Sequence, residues 1–179
     1  MVIYKCRKQY QTKEKIKRKQ VYTSANTSVN MKKLPAIYTK AEKHITGKVL
    51  DYGCGKYTVL IKNHAEKHGF QWSGYDKFNQ TAEQNAHAFK KADVVISSNV
   101  LNVIKEKEVR KDVLKKMAKR GNKLLITVYE GDKSGKGKRS KTDCWQENRR
   151  VADYLEEVEQ ATGYKARIEN SVIIAEKEL

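Results

Sequence analysis

A turn rich in glycine carries the residue types best suited to hold a ligand. It follows a short apolar segment that is typical of a buried strand. Its members are Asp51, Tyr52, Gly53, Cys54 and Gly55. Glycines let the backbone turn sharply and approach a bound molecule closely. The segment that follows has helical spacing, so its first free N–H groups and its dipole would face that molecule. A strand, a glycine turn and a helix in this order predict a cofactor-binding turn. The alternative is a tight turn between a strand and a helix that binds no ligand.

A second acidic residue has the spacing of a ribose-binding carboxylate. Asp76 ends a predicted strand over 70–76, and Lys77 follows it. In Rossmann-like folds, the acid that closes the second strand lies about 20 residues beyond the glycine turn and accepts hydrogen bonds from ribose hydroxyls. Asp76 lies 21 residues beyond Gly55. This spacing favours a cofactor role for Asp76 over the alternative role of a turn or helix cap.

A third polar position follows the most apolar strand of the chain. The segment 92–104 predicts a buried strand and a turn, with Asn99 and Val100 at the end of the strand. Sixteen residues separate Asp76 from Asp93, too few for a full helix and another strand. We therefore expect a shortened middle region in which the usual third strand is reduced or absent.

The remaining segments predict further elements of one α/β domain. An amphipathic helix is expected over 34–45. A helix precedes a buried strand over 123–129, and another helix ends at Gly163. Two strands joined by a two-residue turn close the chain within 164–176. Together these elements predict a mostly parallel sheet with a C-terminal antiparallel hairpin.

Positive charge is concentrated in two segments of this chain of 179 residues and net charge +17. Residues 1–33 hold ten Lys or Arg against one acid, which gives +9. Residues 133–150 hold seven against two, which gives +5. We predict a basic N-terminal arm over 1–33 and a domain over 34–179 with a flexible basic loop at 131–143. The charge favours contact with DNA or RNA, and improved solubility is the alternative. Tyrosines of the arm could stack on bases or pack against the core.

Composition argues against several other classes of protein. No stretch approaches the roughly 20 apolar residues of a membrane span, and the N-terminus lacks the apolar run of a signal peptide. The three cysteines and four histidines do not have the spacing of a metal site. These features predict a cytoplasmic protein without a metal and without membrane contact.

The motifs described above resemble those of class I S-adenosylmethionine-dependent methyltransferases. The first motif of that family is an acid followed by Gly-x-Gly-x-Gly, and here Tyr57 stands in place of the third glycine. The resemblance covers residues 34–179 and implies a Rossmann-like fold with S-adenosylmethionine as cofactor. More narrowly, the segments DYGCGK, YDKF, SSNVLNVI and TDCWQ look like those of small methyltransferases associated with DNA phosphorothioation and their phage-like relatives.

The resemblance also implies roles for individual residues. The glycine turn would surround the methionine part of the cofactor, Asp76 with Lys77 beside it would hold the ribose, and Asn99 and Val100 would lie near the sulfonium. Candidates for orienting the methyl acceptor are Asn102, Tyr129, Trp145 and Gln146. Trp145 could alternatively be the first core residue of a helix. No general base can be named.

The predicted function is therefore methyl transfer from S-adenosylmethionine, with a nucleic acid as the favoured acceptor. One alternative is a non-catalytic protein of this fold that binds nucleic acid or another protein, which Tyr57 and the shortened middle favour. Another alternative is a methyltransferase for small molecules or proteins, in which the lysines serve solubility.

Overall fold

The computed structural model describes residues 19–23, 25 and 33–178. Its strands are β1 (Lys48–Tyr52), β2 (Gln71–Tyr75), β3 (Val94–Ser98), β4 (Lys123–Thr127), β5 (Lys138–Lys141), β6 (Cys144–Gln146), β7 (Lys165–Glu169) and β8 (Val172–Glu176). Its α-helices are α1 (Ile37–Lys40), α2 (Val59–His68), α3 (Ala82–Ala86), α4 (Lys107–Ala118) and α5 (Leu155–Thr162). Short 3₁₀ helices span Glu42–His44, Leu101–Val103 and Val151–Tyr154.

Six strands form one sheet in the order β2-β1-β3-β4-β8-β7. The first four pair in parallel, and β8 is antiparallel to both β4 and β7. This arrangement confirms the predicted α/β, Rossmann-like fold with its C-terminal antiparallel hairpin. The only regular element between β2 and β3 is α3, and β2 is an edge strand. The shortened middle region is therefore confirmed.

Helices cover both faces of the sheet and bury its central strands away from solvent. One face packs Leu50, Val95 and Leu124 against α4 and α5. The other packs Val49 and Ile96 against α1 and α2. Because both faces are covered, the central strands are apolar at nearly every position, which is typical of parallel sheets. The carboxyl ends of β1, β2 and β3 consequently meet at one edge of a rigid platform, where doubly wound folds bind their ligands.

The helix predicted over 34–45 is shorter than expected. The α-helix covers only Ile37–Lys40, and a separate 3₁₀ turn follows it. The helix stops because Ala41 departs from helical geometry, with φ −115° and ψ 19°. The side chains of Lys43 and His44 within the second turn both contact Glu169 of β7, at 2.5 and 3.3 Å. The predicted apolar face is nevertheless buried.

The basic segment predicted as a loop over 131–143 contains regular structure. Strands β5 and β6 pair in an antiparallel hairpin, with a register shift between Arg139 and Lys141. Two backbone hydrogen bonds anchor this hairpin, from Gly135 to Asn148 (2.8 Å) and from Glu147 to Asn102 (2.7 Å). Trp145 lies in β6 and does not begin a helix, so that alternative is wrong.

Most of the predicted N-terminal arm, namely residues 1–18, 24 and 26–32, lies outside the described residues. Within the part of the chain that the structure describes, no helix is long and apolar enough to cross a membrane.

Candidate functional site

The glycine turn after β1 is tightly fitted to its neighbours. The N–H groups of Gly53 and Cys54 both donate to the carbonyl of Tyr75, at 2.7 and 3.2 Å. Gly53 has φ +98°, and a Cβ built on it would lie 2.3 Å from Cγ2 of Val100. Only glycine combines this backbone angle with this close approach. The turn after β1 therefore touches the loop after β3, as a shared ligand site requires.

Asp76 connects the end of β2 to the glycine turn. Its Oδ2 accepts a hydrogen bond from the Gly55 N–H at 2.9 Å. Its Oδ1 accepts bonds from the N–H groups of Phe78 and Asn79, at 2.9 and 2.8 Å. The Gln80 side-chain amide in turn donates to the Gly55 carbonyl at 2.7 Å. The sequence-predicted pair of acid and glycine turn is thus in direct contact.

Asp51 lies beneath the turn as a buried carboxyl group. Its Oδ2 accepts a hydrogen bond from the Tyr38 hydroxyl at 2.8 Å, and that hydroxyl accepts one from Trp72 Nε1 at 2.9 Å. Its Oδ1 is buried and has no hydrogen-bond partner. Burial raises the pKa of Asp51 to about 7, the Tyr38 hydrogen bond lowers it, and the charge of Asp76 raises it further.

The other members of the turn have side chains without obvious reactivity. Burial, followed by the negative charges of Asp51 and Asp76, raises the pKa of the Cys54 thiol, which disfavours the reactive thiolate form. Tyr52 is buried and its ring lies 4.7 Å from that of Tyr75, centroid to centroid. Tyr57, in place of the third motif glycine, has no positive φ and is 45% exposed. A side chain at this position therefore strains nothing in the turn.

The loop after β3 contributes a second unusual backbone angle. Asn99 has φ +57°, in the left-handed region that asparagine tolerates better than most residues. Its N–H donates to the Thr127 carbonyl at 2.9 Å, so the peptide is fixed at the end of β4. Residues in this region cluster at functional sites. Lys77, from the loop after β2, is exposed and places Nζ 4.8 Å from the Phe78 ring centroid.

Three of the four predicted acceptor-orienting residues form one hydrogen-bonded group. Gln146 Oε1 accepts a bond from Asn102 Nδ2 at 3.1 Å. Gln146 Nε2 donates to the Tyr129 carbonyl at 2.9 Å. Asn102 is buried, whereas the Tyr129 side chain is 63% exposed. Gln146 thereby fastens the β5–β6 hairpin across the loops after β3 and β4, and Tyr129 offers an exposed ring there.

Trp145 is held on the same hairpin beside residues that sequence reasoning did not assign to the site. Its ring stacks on Tyr22 with centroids 5.4 Å apart. The Lys105 ammonium lies 4.7 Å from the Trp145 ring centroid. The indole N–H donates to Glu147 Oε2 at 2.6 Å. The contact with Tyr22 spans 123 positions of the chain, so no local pattern could have revealed it.

Comparison with known proteins gives a structural match only. No protein-family model and no curated protein sequence matches this chain. Among solved structures, the 1,6-didemethyltoxoflavin-N1-methyltransferase of Burkholderia thailandensis, bound to S-adenosylhomocysteine, is 14% identical with a TM-score of 0.61. The match covers 81% of this chain and 77% of that one. A sugar N-methyltransferase of Streptoalloteichus is 10% identical with a TM-score of 0.53, covering 80% and 84%. This chain has a methyltransferase fold.

Within this methyltransferase fold, the predicted cofactor residues lie along the carboxyl ends of β1, β2 and β3. Their binding roles stay predictions, as do the acceptor-orienting roles. Tyr38 and Trp72 were not predicted as site residues, although the burial of Tyr38 follows from the apolar spacing of its segment. Among residues 19–23, 25 and 33–178, no group of three His, Cys, Asp or Glu side chains could hold a metal ion.

Proposed function

We propose that this protein is an S-adenosylmethionine-dependent methyltransferase. The observation that carries the proposal is the contact between the Asp76 carboxylate and the Gly55 N–H, made at the ligand-binding edge of a sheet with methyltransferase topology. Three further features fit the cofactor. They are the close contact of the Gly53 turn with Val100, the unpartnered Oδ1 of Asp51, and a groove of about 480 Å³ that borders the turn at Cys54 and runs along β2 past Trp72.

Each of these residues has a task that matches its surroundings. Asp76 Oδ2 accepts a single hydrogen bond within the protein and so retains a lone pair for a ribose hydroxyl. Asp51 Oδ1 is buried beneath the turn without a hydrogen-bond partner, and a donor on the methionine part of the cofactor would satisfy it. The backbone at Asn99 and Val100 borders the place of methyl transfer. The bound cofactor supplies an electrophilic methyl group, so the protein needs chiefly to hold a nucleophilic acceptor in line and near it.

We further propose a nucleic acid as the methyl acceptor. Seven Lys or Arg against two acids in residues 133–150 support this, since β5 within that segment is fully exposed. The anchoring of the same hairpin by Gln146 across the loops after β3 and β4 brings this charge to the active edge. The motif likeness to methyltransferases associated with DNA phosphorothioation supports DNA in particular.

The test supplies methyl-labelled S-adenosylmethionine together with DNA, RNA, protein or small-metabolite pools. We expect label in a nucleic acid, and loss of labelling in Asp76→Asn but not in Asp112→Asn, which removes an exposed carboxylate on α4. Label in protein or metabolites would overturn the nucleic-acid acceptor. Salt-dependent nucleic-acid binding without any labelling would instead favour the non-catalytic alternative.

A further inference from the structure

The hairpin and the segment before the domain together build an aromatic and cationic cluster. Tyr22 stacks on Trp145 with an angle of 28° between the rings. The Lys105 ammonium lies within 6 Å of both rings, at 5.8 Å from Tyr22 and 4.7 Å from Trp145. Arg139 is the cross-strand partner of Trp145 in the hairpin. One cation thus lies near both rings of the stack, and a second basic residue stands opposite Trp145 on the neighbouring strand.

The Trp145 ring is fixed before any ligand arrives. Its indole N–H is bonded to Glu147, at 2.6 Å. The backbone of Gly137 lies against the ring, since a Cβ at that glycine would come within 2.2 Å of Trp145 Cζ2. A ring held in this way loses little conformational freedom on binding, which favours tight stacking.

Tyr22, by contrast, is held by its ring contacts, by a bond within its own segment from Gln20 Nε2 to the Tyr22 carbonyl at 2.7 Å, and by weak contacts of its neighbours. The neighbouring Val21 is 70% exposed, and its N–H reaches Glu106 Oε1 at 3.3 Å. The Thr23 hydroxyl reaches Asp143 Oδ2 at 3.4 Å. Both distances are at the long end for hydrogen bonds. The three acids of the cluster, Glu106, Asp143 and Glu147, accept hydrogen bonds from this segment and from the indole, and Lys105 is the cation that lies near both rings.

We propose that Trp145 is a stacking site for an unpaired nucleobase, and that Tyr22 occupies the place of that base in the free protein. Lys105 and Arg139 bind the phosphates that flank the base. A flat ring beside cations is the usual site of single-stranded nucleic acids, because every base has a face to stack and every linkage has a charge. The proposal deepens the proposed function, since it rests on a nucleic acid being the acceptor.

The position of the cluster connects it to the active edge. Trp145 directly precedes Gln146, which is bonded to Asn102 in the loop after β3. A base stacked on Trp145 therefore lies near the loop after β3, the loop that also carries Asn99 and Val100. Methylation of a base requires that base to leave its helix, and a stacking site for an unpaired base matches that requirement.

Fluorescence gives a direct test, because the chain contains two tryptophans. In Trp72→Phe the emission comes from Trp145 alone, and thermal unfolding checks that the loss of the Trp72–Tyr38 hydrogen bond leaves the protein folded. Single-stranded DNA and RNA of one sequence are titrated in, beside the DNA duplex and an abasic strand of equal length. The abasic strand keeps the phosphates and removes the bases.

We expect single strands to quench Trp145 and to bind about tenfold more tightly than the abasic strand. Trp145→Ala should lose a similar factor, Trp145→Phe should retain much of the affinity, and Tyr22→Ala should increase it. Whichever of the two single strands, DNA or RNA, binds more tightly is identified as the preferred nucleic acid. Equal binding of abasic and normal strands, preference for the duplex, or weaker binding by Tyr22→Ala would overturn the proposal. These titrations contain no cofactor, so they can fail while S-adenosylmethionine binds, and the reverse.

Discussion

The buried Asp51 carboxyl predicts an unusual dependence of stability on pH. Its pKa in the folded protein is about 7, against an ordinary value of 3.8. The largest cause is burial, which disfavours the charged carboxylate. Between these two values the unfolded chain ionises Asp51 while the folded protein keeps it protonated. Folding therefore binds a proton, and Asp51 destabilises the fold increasingly as the pH rises through this interval.

The magnitude follows from the width of that interval. Each pH unit between about 4 and 7 costs about 1.4 kcal/mol, so the full effect is on the order of 4 kcal/mol. Asp51→Asn keeps the shape and removes the ionisation. Relative to the wild type, this variant should gain stability from pH 4 to pH 7 and no more above pH 7. Tyr38→Phe removes a hydrogen bond that lowers the Asp51 pKa, so the pKa should rise in this variant. The loss of stability with rising pH should therefore continue to a higher pH than in the wild type.

Urea unfolding at closely spaced pH values measures the effect, with the free energy of unfolding compared between wild type and Asp51→Asn. Asp112→Asn is the matched control, because it removes an equal charge from an exposed site on α4. A free-energy difference between wild type and Asp51→Asn that does not change from pH 4 to pH 7 would refute the reasoning. So would a difference that changes in the opposite direction, because it would mean that the fold stabilises the charged carboxylate.

Two further predictions concern the scaffold of the site. Gly53→Ala should destabilise the protein by about 2–5 kcal/mol in urea unfolding, because it adds a clash with Val100 to an unfavourable φ. Gly69→Ala, with φ +73° and nothing within 4 Å, should cost only about 1–2 kcal/mol, and an equal cost for both would contradict the packing argument. Arg110 Nε lies 2.9 Å from Glu157 Oε1 in a buried pair between α4 and α5. A second cation, Arg149, places its Nη1 3.5 Å from Glu157 Oε2. Arg110→Met should therefore cost about 3 kcal/mol, and adding Glu157→Leu should restore only part of it because Arg149 then loses its partner; full restoration would contradict this role of Arg149.

The sequence was sufficient for the parts of the fold that depend on local patterns. A window of about 25 residues was enough to predict each of three features, namely the alternation of strands and helices, the glycine turn and the spacing of Asp76. The absence of a further strand between β2 and β3 followed from the short distance between Asp76 and Asp93. Each of these features depends on a periodic pattern of apolar residues or on the number of residues between two strands. Both are properties of the local sequence, so they can be read before the chain is folded.

The parts that the sequence did not reveal depend on contacts between distant segments. The segment predicted as a flexible loop over 131–143 forms a hairpin because Gln146 and Glu147 find partners in two other loops. Tyr38 reaches Asp51 of β1 from α1, and Tyr22 reaches Trp145 from the segment before the domain. Polar residues in a basic, glycine-containing segment carry no periodic signal for such contacts. Only the folded chain brings them together.

Isothermal titration with S-adenosylmethionine tests the central proposal most directly. Asp76→Ala is compared with wild type, with Asp112→Ala as the control at an exposed site, and circular dichroism confirms that each variant is folded. Asp76→Asn serves as a second variant, since Asp76 also holds two turns together. We predict saturable binding by wild type and a loss of about tenfold or more in both Asp76 variants. Absence of binding at millimolar ligand, or equal affinity in folded Asp76 variants, would contradict the assignment of this edge as a cofactor site.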